Sequence, residues 1–460
     1  MVVDDLGAAD SAVSVASTDG RSFRLRATGH GVRVGDFLAI APAPEVELLG
    51  LIEAVEEGAD HTVWAGGTIL AGPPDTAPFG SARVARSEPD RVGRFFADAG
   101  ASLPVGTVIH APGIAAGLIP KRLNRHTFWC GQSGSGKTYA LGVALEQILL
   151  KTRLPVVIFD PNSDFVRLAE PRPGADPEQA AQLAERDIRV LRAGDGTDPL
   201  VIRLRSMSVR SRASLLRLDP LIDRAEYNAM LHFDPTLEVD SPSDLVARLR
   251  DTGQPGSEAL AERVENLGLL DWNIWALNRT PATEIIAERP AATVLDLGSC
   301  ASPEEQLAVS LSVLNDLWAR REERRPVLLV VDEAHNLGSP DLESVAGRAV
   351  RDQLIQIAAE GRKFGLWLLI STQRPSKVHP GIVSQCDNLT LMRMNSPNDL
   401  AELGNLFGFV PPGMLAQSSR FRQGEALLAG GFVPAPSVIK VGDRISVEGG
   451  VDVRVPMPDR

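Results

Sequence analysis

The rhythm of apolar and polar positions changes near residue 126. Before it, short alternating or apolar stretches recur at Ser11–Ala16, Ser22–Ala27, Val34–Ile40, Val46–Val55, His61–Leu70 and Ser81–Ala85. Turn chemistry separates them at Asp19-Gly20, Gly29 to Gly31, Glu57-Gly58 and Gly72-Pro73-Pro74. Short strands at this spacing predict a small β-barrel over residues 1–90, followed by a linker over 91–120.

From His126 the apolar strands His126–Cys130, Pro155–Phe159, Thr293–Leu297, Val327–Val331 and Leu366–Ile370 alternate with helical patterns. That alternation predicts a parallel sheet covered by helices over residues 121–460. Ser302-Pro303-Glu304-Glu305 reads as a capping box with proline at the first helical position. Leu307, Leu311, Leu314 and Trp318 follow at helical spacing, so one face of that helix packs on the sheet. The charged run Arg320 to Arg325 closes it as a solvated helix end.

Between Arg203 and Arg289 the periodicity loosens into helical stretches broken by Asp-Pro, Ser-Pro and Gly-Gln-Pro-Gly, which predicts a helical insertion over about 203–289. Its basic run of Arg203, Arg205, Arg210, Arg212 and Arg217 fits a solvated or inter-subunit face, or a contact with a phosphate backbone. The tail from Gly424 to Arg460 reads as extended structure and not as a further domain.

Charge changes this picture only by exclusion. Lys and Arg number 47 against 59 Asp and Glu, a formal charge of −12, so the chain does not coat nucleic acid by general basicity. Hydrophobic residues at 44% and charged residues at 23% exclude wholesale disorder. Cys130, Cys300 and Cys386 have no paired spacing for zinc or a redox dithiol, as expected in a reducing cytosol. The acidic start lacks a signal pattern, and no apolar run approaches the roughly 20 residues that span a bilayer. The expected location is cytoplasmic, with no membrane partner.

The chemistry begins at Gly131-Gln132-Ser133-Gly134-Ser135-Gly136-Lys137-Thr138, a complete phosphate-loop pattern between a strand and an amphipathic helix, Tyr139–Leu150. Its glycines let successive N–H groups point at phosphate oxygens, beside a helix start whose dipole favours negative charge. Lys137 is expected to reach the β- and γ-phosphates of ATP, and the Thr138 hydroxyl to hold Mg²⁺.

Val327–Val331 ends in Asp332-Glu333. Asp332, at the tip of a buried strand, stands where a Walker B acid orients the Mg²⁺ shell, and Glu333 where a base polarises the attacking water. An adjacent acid pair favours hydrolysis over a kinase or a switch. Gln373, after the strand Leu366–Ile370, is the expected polar contact to the γ-phosphate and the water.

These residues resemble the HerA–FtsK superfamily. The phosphate loop, Asp332-Glu333-Ala334-His335, Glu360-Gly361-Arg362-Lys363-Phe364-Gly365 and Gln373-Arg374-Pro375-Ser376 stand in that superfamily's order and context. Ser384-Gln385-Cys386, Asn395-Ser396-Pro397-Asn398-Asp399-Leu400, Asp160-Pro161 and Gly424-Glu425-Ala426-Leu427 sharpen the resemblance toward HerA-like ATPases. So does an N-terminal barrel similar to the family's HAS-barrel. The resemblance covers nearly the whole chain and is weakest across 203–289.

It implies an α/β fold class: a P-loop NTPase (RecA-like, ASCE) parallel sheet with a helical insertion, preceded by a small β-barrel. It also implies a homohexameric ring that binds ATP between subunits and threads double-stranded DNA. Arg362 resembles the arginine that the family supplies across the interface, and Arg125 another arginine near the nucleotide. Such an arginine stabilises charge that develops on the transferred phosphoryl group.

Where many relatives carry His-Gly-Glu after Asp160-Pro161, this chain has Asn162-Ser163-Asp164. The partner implied is a nuclease of the NurA kind in DNA-end processing. The alternative is an antiphage complex with a nuclease or NAD-consuming effector. A nucleotide-switched assembly module is a third reading, against which Glu333 argues, because a switch needs no dedicated base.

Overall fold

A computed structural model of the chain describes residues 15–27, 31–59, 61–194, 196–232 and 242–450. The start of the first expected strand (11–14), the expected turn residues Gly29 and His30, the side chain of Arg205 and the tail 451–460 lie outside the described residues.

Alternation at the N-terminus produces the strands it predicts: β1 (Val15–Ala16), β2 (Ser22–Arg26), β3 (Phe37–Ala43), β4 (Val46–Glu57), β5 (Val63–Ala71) and β6 (Arg83–Arg86). They pair antiparallel in the order β1-β2-β5-β4-β3-β6. A bridge between Ser17 and Phe79 draws the two edges of this sheet together, giving a half-closed barrel. In β2 the burial pattern alternates, Phe23 and Leu25 inward, and these join Leu38, Ile40, Leu48 and Ile52 in one core.

Within 91–120, expected to be a linker, the chain instead continues as regular structure. After α1 (Pro89–Asp98), it forms β7 (Leu103–Val108) and β8 (Ala115–Leu118) before β9 (His126–Cys130) and α2 (Lys137–Lys151). Next come β10 (Val156–Asp160), α3 (Pro177–Ala184) and β11 (Ile188–Arg192). The insertion is helical as expected: α4 (Val209–Leu215), α5 (Arg224–His232), α6 (Pro242–Asp251), α7 (Ser257–Asn266) and α8 (Ala282–Ala287). It fills the crossover to β12 (Ala292–Asp296), which pairs parallel with β11. Then follow α9 (Pro303–Ala319), β13 (Val327–Val331), α10 (Val345–Glu360), β14 (Leu366–Thr372) and α11 (Pro380–Val383). The chain ends with β15 (Cys386–Leu391), α12 (Pro397–Leu406), α13 (Pro412–Gln417), β16 (Glu425–Gly430) and β17 (Ser437–Val441).

Contacts divide the chain into two units, 1–147 with 387–443, and 148–386 with 444–460. The first holds the half-barrel and the strands β9, β15, β16, β17, β7 and β8, in that order. There β7 pairs antiparallel with β17, joining segments far apart in sequence. The second holds five parallel strands in the order β11-β12-β10-β13-β14. Every residue of β10, β12 and β13 is buried, and a strand covered on both faces reads as a continuous apolar run.

α9 starts as its sequence predicts. Ser302 Oγ accepts from Glu305 N at 3.2 Å, and Glu305 Oε2 accepts in return from Ala301 N at 2.9 Å. In the insertion's basic run, Arg203 pairs with Glu284 at 2.7 Å, Arg212 is half-buried with its pKa lowered by that burial, and Arg210 and Arg217 are exposed.

Candidate active site

The phosphate loop belongs to the first unit. All five residues of β9 are buried, and α2 begins at Lys137, so the loop is a strand-to-helix turn. Gly134 and Gly136 have φ of 71° and 91°, where a side chain is strained, and this permits the tight turn. Ser135 and Lys137 are buried, while Ser133 and Gly134 form the exposed rim. Met392 N donates to Cys130 O at 2.8 Å, Gln132 N to Arg393 O at 2.9 Å and Gly424 N to Ser135 O at 3.0 Å. Asn395 N donates to Gln132 Oε1 at 3.1 Å. Thus Asn395 and Gly424, from two segments singled out in the sequence, both hold the loop. Arg125 lies just before β9, its Nη1 3.4 Å from Asp387 Oδ2.

The acid pair belongs to the second unit. Asp332 and Glu333 follow β13 and are both buried. Glu333 has φ 42° and ψ 49°, a left-handed backbone that costs a non-glycine residue roughly 1–2 kcal/mol. Such strain is found where a side chain must be aimed. The end of β14 grips the pair: Ser371 Oγ donates to Asp332 Oδ1 at 2.5 Å, and Gln373 Nε2 to Glu333 Oε1 at 2.8 Å. His335 Nδ1 lies 3.4 Å from Glu333 Oε2 and 3.2 Å from Thr372 Oγ1.

Asp160, at the tip of the adjacent β10, accepts from Asp164 N at 2.9 Å and Phe165 N at 2.8 Å. Burial pushes its carboxyl up to about 7; those two N–H groups oppose the rise, and the charges of Asp164 and Asp332 add to it.

Of the expected residues, 131–136 form the turn, Lys137 and Thr138 open α2, and Asp332, Glu333 and Gln373 come together. Arg362 does not join Glu333 within the chain. It is exposed on the short turn Gly361–Phe364 that leads into β14, whereas Gln373 follows that strand's far end. A strand of 7 residues separates these two ends, roughly 23 Å at 3.3 Å per residue. Sequence reasoning missed Ser371, His335 and Arg393. The polar run Ser371-Thr372-Gln373 after an apolar strand was the available signal for the first.

A family model described as "Helicase HerA, central domain" matches residues 103–233. The DNA double-strand break repair helicase HerA of Pyrococcus furiosus is 22% identical over 393 residues, spanning 74% of this chain and 69% of that protein. Over these segments the chain is similar to HerA helicases. A probable helicase of Methanocaldococcus jannaschii is 27% identical over 188 residues, 41% of this chain and 35% of that protein. The chain thus spans about a third of the length of that relative. Among solved structures, VirB4 of Thermoanaerobacter pseudethanolicus superposes with a TM-score of 0.52 at 14% identity, over 75% of this chain and 97% of that one. The fold is that of a P-loop NTPase. Among the described residues no helix is long and apolar enough to cross a membrane.

Proposed function

We propose that this chain is a member of the HerA–FtsK superfamily that hydrolyses ATP and couples turnover to movement along double-stranded DNA, as a homohexamer working with a partner nuclease. The observation that carries hydrolysis is the buried Glu333, held by Gln373 at 2.8 Å on a strained backbone. A carboxylate aimed this way takes a proton from water.

Lys137 and the N–H groups of 131–138 bind the phosphates. The donor chemistry fits a metal–polyphosphate pair: an ammonium and N–H groups for anionic oxygens, a hydroxyl and a buried carboxylate for a hard cation. Thr138 and Asp332 would hold Mg²⁺, which supplies positive charge to the phosphates when bound. Ser371 keeps Asp332 oriented, and Gln373 keeps Glu333 oriented toward the water.

Arg362 supports the oligomeric part of the reading. Because it lies at the opposite end of β14 from Gln373, its guanidinium serves the phosphates of a neighbouring subunit and not those of its own. Arg125 takes a supporting place near the nucleotide. Residues 1–90 serve as an accessory barrel for partner docking, and the chain from β7 onward forms the motor. ATP turnover by the purified chain, with and without Glu333→Gln, tests the reading; turnover unaffected by that change contradicts it.

A further inference from the structure

We infer that Arg393 is a phosphate-positioning residue that acts within its own subunit, and that Met392–Asn395 forms a second wall of the nucleotide pocket. This deepens the nucleotide-binding reading of residues 131–138 and rests on it. The segment follows β15 and runs beside the loop. Its backbone is tied there by Met392 N to Cys130 O at 2.8 Å and Gln132 N to Arg393 O at 2.9 Å. Asn395 N adds a bond to Gln132 Oε1 at 3.1 Å.

Arg393 then turns its side chain back over the same loop. Nη2 donates to Gly134 O at 3.4 Å, the long end of the hydrogen-bond range. Nε is shielded from solvent and has no acceptor among the described residues. A guanidinium carries five N–H donors in a planar fork, and phosphate oxygens match that fork. A buried donor without an acceptor, beside a loop built for phosphate, is the arrangement that a polyphosphate completes. The contact with Gly134 holds the side chain over the loop until the ligand arrives.

The experiment uses the full chain with Arg393→Ala, Arg393→Lys and Lys137→Ala, and measures equilibrium binding of ATP and AMP, KM and kcat, and the melting temperature without nucleotide. Arg393→Ala is expected to weaken ATP at least about tenfold and AMP far less, with KM rising more than kcat falls. Arg393→Lys should recover part of the ATP affinity, and melting should stay within about 2 °C of wild type. Wild-type affinity for ATP in Arg393→Ala overturns the inference. So does an equal loss for ATP and AMP accompanied by a lower melting temperature, which marks a brace of the fold. If wild type binds no ATP, or Lys137→Ala binds it as tightly as wild type, the parent reading fails instead.

Discussion

Gln373 Nε2 donates to Glu333 Oε1 at 2.8 Å, so the first residue after β14 fixes the second acid beyond β13. Glu333→Gln should therefore keep ATP binding and lose hydrolysis by about 10²- to 10⁴-fold, the usual contribution of a positioned base. Gln373→Ala should lose less, because the carboxylate survives but is no longer oriented. Phosphate release alongside equilibrium binding separates the two effects, and hydrolysis undiminished in Glu333→Gln removes that residue from the base role.

Lys137 is buried at the first position of α2, and in the proposed function its ammonium binds the phosphates. Lys137→Ala should raise the dissociation constant for ATP by about tenfold or more, through loss of a charge-assisted contact. Calorimetric titration checks this, and the same affinity in the variant would place the ammonium away from the ligand.

The separation of Arg362 from Gln373 by the length of β14 predicts complementation. Arg362→Ala and Lys137→Ala should each be nearly inactive alone. Mixed subunits should regain turnover, because an intact loop then meets an intact arginine from a neighbour. A mixture no more active than its components would mean that the arginine acts within its own subunit.

Asp36 anchors the start of β3 through His110 Nδ1 at 2.9 Å and Arg33 N at 2.9 Å. Burial alone raises its pKa, but the His110 hydrogen bond, the Arg33 N–H and the charges of His110 and Arg86 outweigh burial and leave it below the usual range. A depressed carboxyl contributes stability above its unfolded pKa and loses it as pH falls through the folded value. Asp36→Asn should cost roughly 2 kcal/mol at neutral pH. The gap from wild type should close below about pH 4. Urea melts across that range test the sign; a gap that widens in acid contradicts it.

Local chemistry was legible where one short stretch sufficed. His126–Cys130 and Val327–Val331 form strands at the expected bounds, and every residue of both is buried. Ser302 caps α9 because its partner lies three residues away. Pairing of β7 with β17 was not legible: Gly106 meets Val441, and no local period carries a contact so distant in sequence. For the same reason residues 103–118 read as a linker.

At the site, Asp332, Glu333 and Gln373 were readable from their places at strand ends. The left-handed backbone of Glu333 and the bond from Ser371 were not, since φ and a side-chain direction depend on packing. Arg393 carries no motif of its own; only the fold lays it over Gly134.

Coupling of ATP turnover to a DNA backbone is read out in a single assay: the steady-state ATPase rate of the full chain against linear duplex DNA, at about 50 and 200 mM salt. The rate is expected to rise with DNA, and the stimulation to fall steeply at the higher salt as phosphate contacts give way to counterions. A rate indifferent to both DNA and salt would overturn the motor reading.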